Sequence, residues 1–133
     1  MAVIKKFEDL KVWQDARAFR KEVSAAIKVT PLKNDYDLKR QIQRAALSTM
    51  ANISEGFERG TTKDFIHFLF MSKASIGEVR SHLYAALDDE VISETIFNQL
   101  TPRCIEISSQ LSKFISYLET SDKKTRNPKQ IKP

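Results

Sequence analysis

The chain has 133 residues, enough for one domain whose core needs neither disulfides nor a metal. Hydrophobic residues at 41% and charged residues at 29% are globular values, and no apolar run reaches the roughly 18 residues of a membrane-span candidate. The formal charge of +5 suits a polyanionic partner through phosphate contacts, and equally suits solubility alone.

Three glycines and four prolines are too few for a strand-rich fold, so the composition predicts long helices. Cys104 is the single cysteine and rules out an intramolecular disulfide. The opening "MAVIKKFEDL" places charges where a secretory apolar region would sit. A cytoplasmic protein is therefore expected, and "NIS" at 52–54 reads as helix rather than a glycosylation site.

The first helical pattern starts near Asp9, an N-cap candidate, and runs to about Val29. Leu10, Trp13, Ala16, Val23, Ala26 and Ile27 share one side, and Lys11, Arg17, Arg20 and Lys21 the other. "TPLKNDYD" breaks the pattern, and a second helix runs from Asp35–Asp37 to about Phe57. Gly56 or Gly60 is available as a left-handed C-cap, with Thr61 or Thr62 as the next N-cap. The third pattern spans about Thr62 to Asp88 and offers Phe65, Leu69, Ile76, Val79, Leu83 and Leu87 to a core. The fourth spans about Glu94 to Glu119 after a Ser93 cap. Pro102 inside it predicts a bend near Thr101 or a late start. From 121 onward "SDKKTRNPKQIKP" is polar and basic, a tail expected to be disordered after a bundle domain of residues 1–120. Four long helices with short connections make an all-α, antiparallel up-down-up-down four-helix bundle.

The second and third helices carry more apolar surface than the roughly 100° stripe a bundle needs. Met50, Phe57, Ile66 and Phe70 are the residues expected to cover it by self-association, which makes the protein a homo-oligomer.

The second helix also carries a polar row. In "RAALSTMANISEGFERG" and the residues just before it, Gln41, Arg44, Ser48, Asn52, Glu55 and Arg59 recur at steps of three and four within one arc. Periodicity alone makes this a solvated face with an i,i+4 pair between Glu55 and Arg59.

Catalytic and metal chemistry find little support. Asp64 with His67, and Glu78 with His82, give one imperfect copy of a di-iron pattern that needs two. Cys104 sits among Leu100, Ile105 and Ile107 as a small core hydrophobe, no phosphate loop appears, and two histidines without a partnered acid make no triad. No enzyme, cofactor, small-molecule substrate or membrane partner is expected. Cations at Lys39, Arg40, Arg44 and Arg59, with Lys123, Lys124, Arg126, Lys129 and Lys132 of the tail, are the nucleic-acid-contact candidates. No aromatic platform motif for single strands and no helix-turn-helix accompanies them, so contact would be to phosphates.

"FEDLKVWQDA", "QIQRAALSTMANISEGFERG" and "KDFIHFLFMSKASIGEV" resemble the four-helix-bundle family named for proteins encoded by intervening sequences in bacterial 23S ribosomal RNA genes. Gln41, Arg44, Ala45, Ala46, Ser48, Asn52, Ile53, Glu55 and Gly56 carry the most specific part. The resemblance implies a ring-like homopentamer without attached enzymatic activity. The family is also similar to the accessory variability proteins of diversity-generating retroelements, basic pentamers that associate with a reverse transcriptase and nucleic acid. Thr49, Ser54 and Ser72 depart from the aliphatic or alanine residues more usual there. In that light the polar row becomes a register-fixing network, with Asn52 and Glu55 expected to reach Ser75 and Glu78 of the third helix or a neighbouring subunit. The expected function is a non-enzymatic binding module for RNA or a ribonucleoprotein. The alternative is an adaptor that docks an acidic, polymerase-like protein without touching nucleic acid.

Overall fold

The computed structural model describes residues 3–121. Apart from Ser121, the expected basic tail lies outside them, with its five cations. The described residues form four helices and no strand: α1 (Lys11–Lys28), α2 (Tyr36–Glu58), α3 (Thr62–Asp88) and α4 (Glu94–Ser121). Short 3-10 turns at Phe7–Asp9 and Pro31–Asn34 precede α1 and α2.

The helix ends follow from local chemistry, with one correction. Asp35 caps α2 by accepting from the Leu38 amide at 3.2 Å, Thr61 caps α3 through the Asp64 amide at 3.2 Å, and Ser93 caps α4 through the Ile96 amide at 3.1 Å. Asp9 does not cap α1. It ends the first 3-10 turn, and α1 starts after Leu10, which is buried and makes no side-chain cap. Gly60, at φ +89°, provides the left-handed residue after α2.

α2 packs most extensively on α3, and α3 on α4; α1 contacts α2 and, more thinly, α4. The helices thus close into a bundle in chain order. The Leu32 amide donates to the Val91 carbonyl at 3.1 Å, which ties the α1–α2 connection to the α3–α4 connection at one end. At the other end an edge-to-face stack runs from Phe57 to Phe65 (5.8 Å) and on to Phe114 (5.3 Å). Phe19, Phe57 and Phe65 are fully enclosed, each worth about 1.5–3 kcal/mol of transfer free energy.

α4 runs unbroken through Pro102, which rules out a late start. The proline removes the N–H that would reach the Asn98 carbonyl. Asn98 is exposed, so water can take that acceptor, and the Thr101 hydroxyl donates to the Phe97 carbonyl at 2.8 Å beside it.

Candidate nucleic-acid interface

The polar row on α2 lies along its seam with α3 and divides into three parts. At the α1–α2 connection end, Arg44 Nη2 donates to Gln41 Oε1 at 2.7 Å and to Glu78 Oε2 of α3 at 3.3 Å. His82 Nε2 lies 3.1 Å from the same Glu78 oxygen. In the middle, the Ser48 and Ser75 hydroxyls meet at 3.0 Å across the seam, and Asn52 Nδ2 donates to both the carbonyl and hydroxyl of Ser48 at 2.9 Å. At the far end, Arg59 pairs with Glu55 at 3.3 Å and covers the Phe68 ring at 4.8 Å from its centroid.

Asn52 is therefore linked to α3 through Ser48, which meets Ser75. The Glu55 carboxylate turns back to Arg59 on its own helix rather than to α3, as i,i+4 geometry favours. Beneath the seam lies a contact that the apolar pattern hides. Ser72 Oγ donates to the Thr49 carbonyl at 2.6 Å, while the Thr49 hydroxyl donates back to Ala45 at 2.9 Å. Both side chains are buried and both are satisfied.

The residues expected at an oligomer face separate. Phe57 is corrected to the chain's own core, fully buried against Phe65. Met50 and Ile66 are partly buried and pack on that core. Phe70 is 51% exposed on the outside of α3 beside Met71, whereas Tyr84, about four turns further along, is exposed at one side but stacks edge-to-face on Phe97 of α4 at 4.8 Å. The wide apolar arc of α2 has a simple reason: this helix packs on both α1 and α3, so two neighbours share its apolar surface.

Two of the cations, Lys39 and Arg40, flank a residue that the sequence pattern did not single out. Tyr36, the first residue of α2, is 62% exposed; the Arg40 guanidinium lies 5.3 Å and the Lys39 ammonium 5.9 Å from its ring centroid. The Lys39 ammonium also donates to the Lys33 carbonyl at 3.0 Å. The signal was present as an aromatic residue followed at three and four positions by bases. Arg40 also borders an open depression of about 370 Å³ with Asp37, Gln41, Gln43, Arg44 and Leu47. Gln43 and Leu47 in turn border a second depression, between α1 and α2, with Arg20.

Charge is unevenly spread. Residues 3–60 hold 12 basic and 8 acidic side chains, residues 61–121 hold 5 and 8, and residues 122–133 hold 5 and 1. The α1–α2 half is thus net +4, the α3–α4 half net −3 and the terminal segment net +4.

Among the described residues no group of three His, Cys, Asp or Glu side chains is placed to hold a metal, and no helix is long and apolar enough to cross a membrane. Cys104 is buried, and burial pushes its thiol up to about 12, which suits packing rather than nucleophilic attack.

An all-helical bundle with a polar α2–α3 seam and a basic α1–α2 side defines the class. The model of the 23S rRNA-intervening sequence protein family matches residues 8–113, and the chain belongs to that family. A solved structure of a protein of unknown function from the S23 ribosomal protein family of Bacteroides thetaiotaomicron is similar, with a TM-score of 0.71 at 23% identity. The match covers 78% of this chain and 97% of that one, and the likeness is one of fold. No curated protein matches the chain.

Proposed function

We propose that the protein is a non-enzymatic, cytoplasmic, antiparallel up-down-up-down bundle that assembles as a homopentamer and binds RNA or a ribonucleoprotein through its basic surface. The observation that carries this reading is the charge distribution. Positive charge gathers on the α1–α2 side and in residues 122–133, while the α3–α4 side is net acidic. A uniformly soluble surface requires no such polarity, whereas a phosphate backbone is attracted to one side of it.

The up-down arrangement is supported by the bond between Leu32 and Val91, which joins alternate connections at one end. Self-association is supported by exposed Phe70 and Met71 on α3. The number five comes from the family resemblance alone. Assembly would add weak phosphate contacts through multivalency.

Fluorescence anisotropy of a labelled structured RNA, titrated at several salt concentrations, tests the reading. Binding that persists near physiological salt with a slope of several phosphate contacts is expected, and a form ending at Glu119 loses part of that slope. Absence of binding even at low salt retires the proposal. The same positive α1–α2 side also suits a second reading, a protein-binding adaptor that docks an acidic partner. That adaptor would retain its partner after nuclease treatment.

A further inference from the structure

Resting on the nucleic-acid reading, we infer that Tyr36 with Lys39 and Arg40 forms a subsite for an unpaired nucleotide of single-stranded nucleic acid. The base would stack on the tyrosine ring and the adjoining phosphates would meet the two cations. The subsite selects for strandedness, because a duplex keeps its base faces inside the stack and offers only its backbone.

The corner that carries Tyr36 is held in place. Asp35 caps α2 immediately before it, and the preceding 3-10 turn is fastened to the α3–α4 connection by the Leu32 amide. A backbone held in this way loses little conformational freedom when the side chain it carries is engaged. Most of Tyr36 remains exposed. Neither Lys39 nor Arg40 has a carboxylate within ion-pair distance among the described residues, so their charge remains unneutralised for a phosphate. Arg44, by contrast, is engaged by Gln41 and Glu78.

A path leads away from the ring. The depression beside Arg40 shares Gln43 and Leu47 with the one that holds Arg20 of α1. From Asp37, next to Tyr36, to Leu47 the depression follows roughly 15 Å of helix axis, enough for a few nucleotides. Along it, exposed Leu47 offers an apolar surface to a base, Gln43 an amide, and Arg20 a further cation.

The test compares a labelled unstructured oligoribonucleotide with a blunt-ended RNA duplex of equal length, at several salt concentrations, using the full chain. Tyr36→Ala is expected to weaken the single strand about tenfold and to leave the duplex within about twofold, while Tyr36→Phe keeps single-strand affinity. Arg40→Gln should lower the salt slope by about one, whereas Tyr36→Ala leaves it unchanged. Unchanged helical circular dichroism shows that each variant folds. Equal loss on both ligands, or no loss in Tyr36→Ala while the parent binds, overturns the subsite and leaves the basic-surface reading standing. A parent chain that binds neither ligand overturns both.

Discussion

A Cβ placed on Gly56 would stand 2.6 Å from Cβ of Phe68, so α2 and α3 meet at that turn with no space for a methyl group. Phe65 closes the other side, with Cδ1 at 3.1 Å and its carbonyl at 3.3 Å. Since a Cβ is fixed to its backbone, only a shift of a whole helix could relieve the clash. Gly56→Ala is therefore expected to destabilise the fold by about 1–3 kcal/mol of overpacking, against about 1 kcal/mol gained in helix propensity. Gly77 is the control. It is exposed in mid-α3 and a Cβ there meets nothing within 4 Å, so Gly77→Ala should stabilise by up to about 1 kcal/mol. Chemical denaturation of both variants reads the opposite signs, and a gain in both would refute the close approach.

The α3–α4 turn stores strain that a substitution can release. Glu90 adopts φ +57°, the left-handed region, where the Val91 amide bonds the Ala86 carbonyl and the Glu90 amide bonds that of Leu87, both at 3.0 Å. A side chain there costs about 1 kcal/mol, and Asp88, Asp89 and Glu90 crowd negative charge at the carbonyl end of α3. Glu90→Gly relieves both effects and should raise the thermal midpoint by several degrees. A lowered midpoint would contradict this account of the turn.

Cys104 should resist alkylation. Its thiol is buried and pushed up to about 12, and the thiolate is the reactive form. Iodoacetamide at mildly alkaline pH should modify it only as fast as the chain opens, and denaturant should accelerate labelling by orders of magnitude. Rapid labelling of the folded chain would mean that the α3–α4 packing is looser than described.

Asp15 links α1 to α4 and should leave an acid signature. Burial alone would raise its carboxyl, but bonds from the Lys11 ammonium at 2.7 Å and the Gln110 amide at 2.9 Å outweigh that and hold it below the usual value. A carboxyl lowered in the folded state stabilises above its unfolded value, about 4, and that contribution is lost as pH falls through the folded one. Asp15→Asn should therefore flatten the acid limb of a stability-against-pH curve while changing its neutral plateau only modestly. An identical acid limb in the variant would place the titration elsewhere.

The helices themselves were legible in the sequence because each carries its own period and stop signals. The bounds of α3 follow from "GTT" before it and "DDE" after it, and caps at Asp35, Thr61 and Ser93 announce themselves by residue type. The α1 start was misplaced because Asp9 has a capping side chain but sits in a 3-10 turn, where the buried Leu10 sets the entry. Nothing in "DDEVISET" marks a left-handed residue, since glycine, the usual sign, is absent there.

Side-chain fates were less legible, because a wheel gives a direction without saying what stands there. Phe57 and Phe70 are both apolar residues of amphipathic helices, yet one closes the core and the other faces outward. Ser48, Ser72 and Thr49 look alike as small polar residues; only the crossing of α2 and α3 makes Ser48 a seam contact and buries the other two.

The sequence by itself determined the class, the four helices and the uneven charge, all of which depend on composition and local periodicity. Only the tertiary structure decided that Gly56 is a contact point, that Glu55 turns back to Arg59, and that Tyr36 stands beside Lys39 and Arg40. Each of these depends on the distance between residues in three dimensions, which packing sets and a one-dimensional pattern does not contain.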